Sequence, residues 1–576
     1  MSYLPLTAVL FAVLPIASSS IIPSAKPSSS YSSQCRYLSK DAGWPNDTIW
    51  DQLNRTVEGR LIRGVPLGQP CHSPYLNTGK CSQIQSEWTL LPPFVADPVN
   101  VMSLYWTNNS CSAFTSSSEV CSLGNIAPYA LNISSATDVI SGVQFAQEHN
   151  IRLTIKNTGH DFLGRSAGAS SLALWMHNLK NITFLDYSSA AYSGPAVRVG
   201  AGVEYGDLYP VASARGLRVV GGSCPSVGVV GGFTQGGGHG PLGSIYGLSA
   251  DQVLEWEVVT AAGKHLTVSP MSNAQLFWAL SGGGAGNYGV VLSATVRAYP
   301  DGPVAGAGFS FTNTGDDTTY WEAITAWLRH LVVLSNTNGI ATVWSLTARS
   351  FELEFATWPD VKGSDQIDNA LAPYVDELSR LNVSLGTSYK SDIQANFAQH
   401  YEHWATQTYD SNITLGGRLI PRSVVQDEDV GLPALISNFR NITGGGAKII
   451  SVAANFTHGG YVSNSVLPAW RHTLFTMSFA KSLPVSSGWD AIRQDQEQLN
   501  AWQDILRETT PGAGTYMNEA TWNNPHWKED YFGSNYEELL AIKERYDPTY
   551  VFWANAAVGS DRYWKAMADQ RLCRVK

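Results

Sequence analysis

The stretch from Gly221 to Gly240 constrains this chain more than any other. Nine of its 20 residues are glycine. Glycine lets backbone approach a ligand closely and reaches positive φ with little steric penalty. A flexible linker would lack the interspersed Pro225, Val227, Val229, Val230 and Phe233. The segment is therefore expected to be packed backbone, against which a flat ring system can lie while N–H groups satisfy its polar edge. A second run, Lys156-Asn-Thr-Gly159-His160-Asp-Phe-Leu-Gly164-Arg165-Ser166, follows an alternating strand over 151–155. Its N–H groups and Arg165 suit phosphates. A histidine in such a turn is more often structural, or a proton shuttle, than a reacting group. A third run, Gly284-Ala-Gly286-Asn-Tyr-Gly289, matches G-x-G-x-x-G. A Rossmann fingerprint must follow a strand and open a helix, so that pyrophosphate meets the helix N-terminus. Here the order is reversed: the helix through Phe277 and Trp278 comes first and the strand from Val290 follows. The run reads as a tight helix-to-strand loop whose backbone can still touch a cofactor.

Periodicity around these runs predicts helices over 137–150, 205–214 and 274–280. It predicts strands over 196–200, 217–220 and 290–298, and a hairpin of 253–260 with 265–268 around Ala262-Gly263. Beyond residue 300 longer helices, such as 321–335, alternate with β-rich stretches. The chain closes with a helix over 536–545.

Net charge is −10 with no long Lys/Arg run, which argues against a nucleic-acid partner. Charged residues at 15% and hydrophobic ones at 44% exclude wholesale disorder. The apolar run from Leu4 to Ala17, followed by three serines, suits a signal-peptide core, although no Lys or Arg precedes it. It is too short to span a bilayer, and no later stretch reaches about 18 uncharged apolar residues, so no membrane anchor is expected. Sequons at Asn46, Asn54, Asn108, Asn132, Asn181, Asn382, Asn412, Asn441 and Asn455 agree with secretion and N-glycans. So do seven cysteines, five of them within the first 121 residues. Cys71/Cys81 and Cys111/Cys121 suggest short loops, leaving Cys35 to meet Cys573, though six cysteines allow fifteen pairings. The total is odd, so at least one cysteine serves another purpose. No pattern suggests a metal site. His400 and His403 could share a helix face, but without a third ligand they read as structural.

The Gly-His-Asp-x-x-Gly-Arg-Ser pattern, with Gly-x-Cys-Pro-Ser-Val-Gly-x-x-Gly-Gly about sixty residues on, resembles the FAD-linked oxidases of the vanillyl-alcohol-oxidase superfamily. The ending Tyr546-Asp-Pro-Thr-Tyr-Val-Phe552 is similar to the signature of its berberine-bridge-enzyme-like branch. The resemblance covers roughly 125–300 and 515–555. It implies an α+β, two-domain FAD-binding fold of the PCMH type with a separate antiparallel-sheet substrate domain. The expected divisions are a signal peptide (1–20), a disulfide-bearing segment (21–124), an FAD-binding domain (125–305), a substrate domain (306–505) and a C-terminal segment returning to the FAD domain (506–576).

The resemblance also implies residue roles. His160 would be bonded to the flavin 8α carbon and Cys224 to C6, making FAD bicovalent and accounting for the odd cysteine. Lys156, Asn157, Thr158, Gly159, Arg165 and Ser166 would lie along the pyrophosphate side. Val227 would gate dioxygen. Gly228, Gly237, Gly238 and Gly240 would be backbone neighbours of the cofactor, and Asn555 would stand near it. Covalent attachment keeps the cofactor on a protein outside the cell, where free FAD is scarce, and tunes the ring for hydride uptake.

Oxidising a C–OH carbon requires a group to take the hydroxyl proton. Tyr516-Met-Asn518 resembles the branch's Tyr-x-Asn motif on the substrate side. Tyr516 is the first candidate base, or else an aromatic wall residue, and Asn518 an orienting group. The continuation Glu519-Ala-Thr-Trp departs from the family pattern and leaves the base open. His239 is read as a satisfied histidine beside glycine backbone. The expected partners are a small organic substrate and dioxygen. The expected function is a secreted oxidase of an alcohol or similar C–H donor, releasing hydrogen peroxide. The alternative is a tailoring oxidoreductase performing dehydrogenation or oxidative cyclisation in secondary metabolism. A third class, a non-redox glycoprotein binding carbohydrate or protein through its glycine segments, would be colourless.

Overall fold

The computed structural model describes residues 34–103, 106, 110–335, 339–406, 411–457, 463–485 and 487–575. The apolar run expected to be a signal peptide and the sequon at Asn108 lie outside the described residues.

Ser135 starts the helix Ala136–Glu148 through a reciprocal capping box with Asp138, which satisfies N–H groups that a helix start otherwise leaves unpaired. The buried Val139, Val143 and Ala146 of this helix share a core with Leu131, Leu153, Leu172 and Leu174. Those four belong to a sheet ordered Leu61–Arg63, Tyr129–Asn132, Ser171–Trp175, Arg152–Lys156. Its last three strands are parallel and its first is antiparallel. The interior strand Ser171–Trp175 is buried at every residue, as parallel strands usually are.

A second, five-stranded antiparallel sheet runs Ile182–Ser188, Ser193–Gly200, Val290–Arg297, Val253–Val259, His265–Val268. One continuous core joins both sheets, and the C-terminal Leu539, Ile542, Val551 and Phe552 belong to it. The Tyr-Asp-Pro signature holds this return in place. Asp547 is fully buried and accepts from Lys543 Nζ at 2.8 Å and from the Val551 and Phe552 N–H groups, each at 2.9 Å. The Lys543 ammonium also donates to the Asn287 carbonyl, inside the third glycine run, at 2.7 Å.

The other half is a seven-stranded antiparallel sheet in the order Lys390–Gln394, Val304–Thr312, Ser350–Pro359, Ala341–Leu346, Lys448–Ala453, Thr473–Ser482, Ile413–Pro421. Helices Asp317–Leu334, Asp365–Arg380, Gly431–Gly444 and Trp489–Thr509 cover one face. Their Leu328, Leu371, Leu435 and Leu499 form a second core with the strand residues Trp344, Phe351 and Phe475. Successive strand residues point to opposite faces, so the uncovered face is free to meet the glycine runs. This is the α+β, antiparallel-sheet architecture that the motifs imply.

The structure departs from expectation at several elements, among them the strand expected over 196–200, which starts at Ser193, and at two the cause is local. The strand expected over 217–220 shrinks to Leu217–Arg218, paired with Tyr299–Pro300, because the chain there turns into the glycine segment. The helix expected from 321 begins at Asp317, because Asp316 caps it by accepting from the Thr318 and Thr319 N–H groups. Cysteines pair as Cys35–Cys573, Cys71–Cys81 and Cys111–Cys121, leaving Cys224 as a free thiol.

Candidate active site

All three glycine runs converge on one cavity of about 320 Å³, within the ~300–1,000 Å³ range of small-molecule sites. The uncovered sheet face closes it from the opposite side with Ile413, Leu415, Ile450, Val452, Thr476 and Ser478. C-terminal Tyr516, Asn518, Glu519 and Phe552 complete the wall.

Asp161 shapes the loop that carries Arg165. Its carboxylate accepts from the Leu163 N–H at 3.2 Å and from the Arg165 N–H, a side-chain-to-backbone turn. Arg165 lines the cavity, yet its Nε and Nη2 atoms are buried without partners. Burial lowers the pKa of this guanidinium. A buried cation in this state calls for an anionic ligand, since leaving it unpaired is costly. Asn157 donates through Nδ2 to the Ala201 carbonyl, while its Oδ1 lacks a partner. A Cβ at Gly228 would lie 2.3 Å from that Oδ1, so glycine keeps this amide in place. Gln235 Oε1 is likewise buried and unpaired at the wall. A guanidinium with two unbonded nitrogens, unpaired amide oxygens and an aliphatic wall together fit FAD, with its anionic pyrophosphate and its flat ring bearing a polar edge.

His160 and Cys224 arrive from different runs and meet one hydroxyl. Ser226 Oγ lies 2.9 Å from His160 Nε2 and 3.6 Å from Cys224 Sγ. Burial, reinforced by the positive charge of Lys156, lowers the His160 pKa to about 3, so the imidazole is neutral above that pH. His160 is partly exposed and lines the cavity. Burial also raises the Cys224 thiol.

Asn157, Thr158, Gly159, His160, Arg165, Ser166, Cys224, Val227, Gly228, Tyr516 and Asn518 all line the cavity. The other five expected contacts do not. The Lys156 ammonium points away and donates to the carbonyls of Phe94, Asp97 and Thr158 at 3.0, 2.7 and 3.4 Å, with its pKa lowered by burial to about 8. It fastens the disulfide-bearing segment to the strand instead of facing a phosphate. Gly237, Gly238 and Gly240 sit one layer behind the wall; a Cβ on Gly240 would lie 1.9 Å from the Gly221 carbonyl oxygen. The Asn555 amide donates to the Trp522 carbonyl at 2.5 Å, while the neighbouring Ala554 lines the cavity.

Asn518 Nδ2 donates to Tyr516 Oη at 2.8 Å and to the Gly232 carbonyl at 2.9 Å, tying the C-terminal stretch to the long glycine run. Burial holds the Tyr516 phenol well above its usual pKa, and the Glu519 charge adds to this. The phenol therefore keeps its proton at neutral pH and is not a base there. Sequence reasoning missed Ser226, Gln235 and Ser478. Ser226 sits within the quoted Cys-Pro-Ser-Val motif, its one visible signal. Ser478 carries none, because its part depends on sheet register. His400 is a core residue, its Nε2 lying 2.8 Å from Thr357 Oγ1. Among the described residues no group of three or more His, Cys, Asp or Glu side chains is placed to hold a metal.

Comparison with known proteins agrees with this geometry. A family model described as an FAD binding domain matches residues 128–269, and one described as berberine and berberine like matches 515–559. An FAD-linked oxidoreductase of Aspergillus clavatus, patO, is 41% identical over 94% of this chain and 95% of its own length. A bifunctional decalin synthase of Penicillium decumbens, calF, is 39% identical over 94% of this chain and 96% of its own. The crystal structure of the VAO-type flavoprotein MtVAO615 from Myceliophthora thermophila superposes with a TM-score of 0.89 at 38% identity, covering 94% of this chain and all of that one. Sequence, fold and cavity agree, and the chain belongs to the vanillyl-alcohol-oxidase and berberine-bridge-enzyme family of FAD-linked oxidoreductases.

Proposed function

We propose that this protein is a secreted oxidase whose FAD is attached through both His160 and Cys224, and that it oxidises an alcohol or similar C–H donor. The single observation that carries this reading is the meeting of one neutral imidazole and the one free thiol on Ser226 Oγ at the cavity wall. Bound FAD would supply the redox chemistry, taking up hydride and returning the electrons to dioxygen as hydrogen peroxide. Arg165 neutralises the pyrophosphate. Asn157, Thr158, Gly159 and Ser166 would lie along it, with Gly228 a backbone neighbour of the cofactor. Val227 presents a small side chain at the wall, leaving room for dioxygen. Tyr516 and Asn518 shape the substrate side. Three disulfides support an oxidising compartment, and no helix among the described residues is long and apolar enough to cross a membrane.

A second reading rests on the sheet wall. Ile413, Leu415, Ile450 and Val452 offer aliphatic surface with little hydrogen-bonding capacity. That suits dehydrogenation or cyclisation of an apolar metabolite, the type of product named for the decalin synthase relative. The test of the first reading is colour and gas. Protein secreted by a flavin-replete host should give a yellow pellet after acid precipitation, and oxygen uptake with a panel of aliphatic and aromatic alcohols should be matched by peroxide. A colourless pellet would overturn the covalent attachment. A yellow pellet with neither bleaching nor oxygen uptake for any alcohol would favour the second reading.

A further inference from the structure

Glu519 stands where the family's pattern is broken, and it is the carboxylate that lines the substrate side of the cavity. The strand Ile413–Pro421 leaves space for it at Gly417. A Cβ there would lie 2.3 Å from the Glu519 carbonyl oxygen, so only glycine lets this backbone rest on the sheet. Sheet register does the remainder. Ser478 pairs with Gly417 on one side and Ile450 on the other, which puts its hydroxyl beside Glu519. The two carboxylate oxygens are held separately. Ser478 Oγ–H donates to Oε2 at 2.8 Å, and His239 Nε2–H, from the long glycine run, donates to Oε1 at 2.9 Å. Glu519, His239, Ser478 and Tyr516 all line the same cavity.

We propose that Glu519 is the catalytic proton acceptor of the oxidation, with His239 and Ser478 as its positioning residues. The proposal rests on the oxidase reading and adds the residue that reading leaves open. As an alcohol becomes a carbonyl, the hydroxyl proton moves to a Glu519 oxygen and the O–H electron pair becomes the second C–O bond. The C–H hydrogen leaves with its electron pair to the bound flavin, the oxidant of this family. Glu519 then returns the proton to water. Both oxygens keep a lone pair after accepting one hydrogen bond, so the carboxylate can receive that proton without releasing either partner. The titratable groups that face it are His239 from the glycine run and Tyr516 from its own stretch; the adjoining strand contributes only the Ser478 hydroxyl. Burial alone would raise the Glu519 pKa. The charge of His239 and the hydrogen bonds from His239 and Ser478 outweigh it and leave the carboxyl below its usual range, hence ionised at neutral pH. Tyr516, held neutral, is left to donate a hydrogen bond.

The test uses Glu519→Gln and Ser478→Ala in the flavin-loaded protein, with two readouts. The first is the pH profile of kcat/KM for an alcohol that the parent oxidises. Glu519→Gln should lose about 10²–10⁴-fold and its acidic limb. Ser478→Ala should keep that limb but move it to higher pH, which a merely structural defect would not do. The second is benzoate binding, read from the flavin absorbance without turnover. As pH falls toward the carboxyl range, while both carboxylates are still ionised in the free species, the parent should bind benzoate up to tenfold more tightly per unit, because a proton must neutralise Glu519. Glu519→Gln should bind it more tightly at neutral pH and without that dependence. Unaltered pH dependence of both readouts in Glu519→Gln overturns the proposal while leaving the oxidase reading intact, and so does the absence of any difference in benzoate binding. A parent that carries no covalent flavin overturns the oxidase reading instead. If Glu519→Gln does not fold, an unshifted limb in Ser478→Ala is the refuting result.

Discussion

Replacing Asp547 with asparagine probes the clamp that returns the C-terminal stretch to the flavin half. The wild-type carboxylate and the Lys543 ammonium are both fully buried, and the carboxylate accepts three hydrogen bonds. Asparagine keeps the volume but removes the charge, stranding the ammonium. Burial already lowers the Lys543 pKa, and the Asp547 charge is what opposes this. Breaking one partner of such a pair costs about 3–5 kcal/mol. One of the Val551 and Phe552 N–H groups would also face an NH₂ instead of an oxygen. For the 576-residue chain unfolding as one unit, about 0.8 °C per kcal/mol gives a Tm lower by roughly 2.5–4 °C. Differential scanning fluorimetry on the flavin-loaded protein measures this directly. A Lys543→Met, Asp547→Leu pair removes both charges and should recover more than half of the loss, since hydrophobic replacement of a buried pair is often neutral. Phe552, Trp553 and Ala554 line the cavity just beyond the clamp, so Asp547→Asn should also lower flavin content. A single variant melting within about 1 °C of the parent, against the ~2.5 °C minimum expected of a stranded buried charge, would refute the reasoning.

Two further outcomes follow from the same structure. Asp530 is buried between Arg418 and Arg507. Burial would raise its pKa, but the Arg507 hydrogen bond, the Arg418 charge and Asn524 lower it. Its stabilising effect is therefore complete above its ordinary carboxylate pKa and lost as pH falls through the lower folded-state value; Asp530→Asn should lower Tm at neutral pH and flatten the acid limb of a Tm-against-pH curve, and an unchanged limb would contradict this. Asn46, Asn181, Asn382 and Asn441 are exposed whereas Asn412 is only 9% exposed, so glycopeptide mapping of secreted protein should find glycan at the first four and none at Asn412.

The glycine runs were legible because what they contribute is backbone, and glycine content reports backbone directly. The helices at Ala136–Glu148 and Ala274–Leu280 were legible from local apolar spacing. Lys156 was misplaced for a reason the strand itself supplies. Successive side chains at a strand end point to opposite sides, so Asn157 reaches the cavity while Lys156 turns to the carbonyls of Phe94 and Asp97. Glu519 was visible only as a departure from a motif. Its meaning comes from His239, 280 residues earlier, and from the register that seats Ser478 beside Gly417. Neither contact is local, so no spacing rule could carry it.

Peptide mass analysis of the secreted, proteolysed protein tests the central claim most directly. The account predicts one flavin joining the peptide that contains His160 to the peptide that contains Cys224, with single attachments remaining in His160→Ala and Cys224→Ala and none in the double variant. Flavin mass absent from both peptides, or still covalently bound in the double variant, would contradict it.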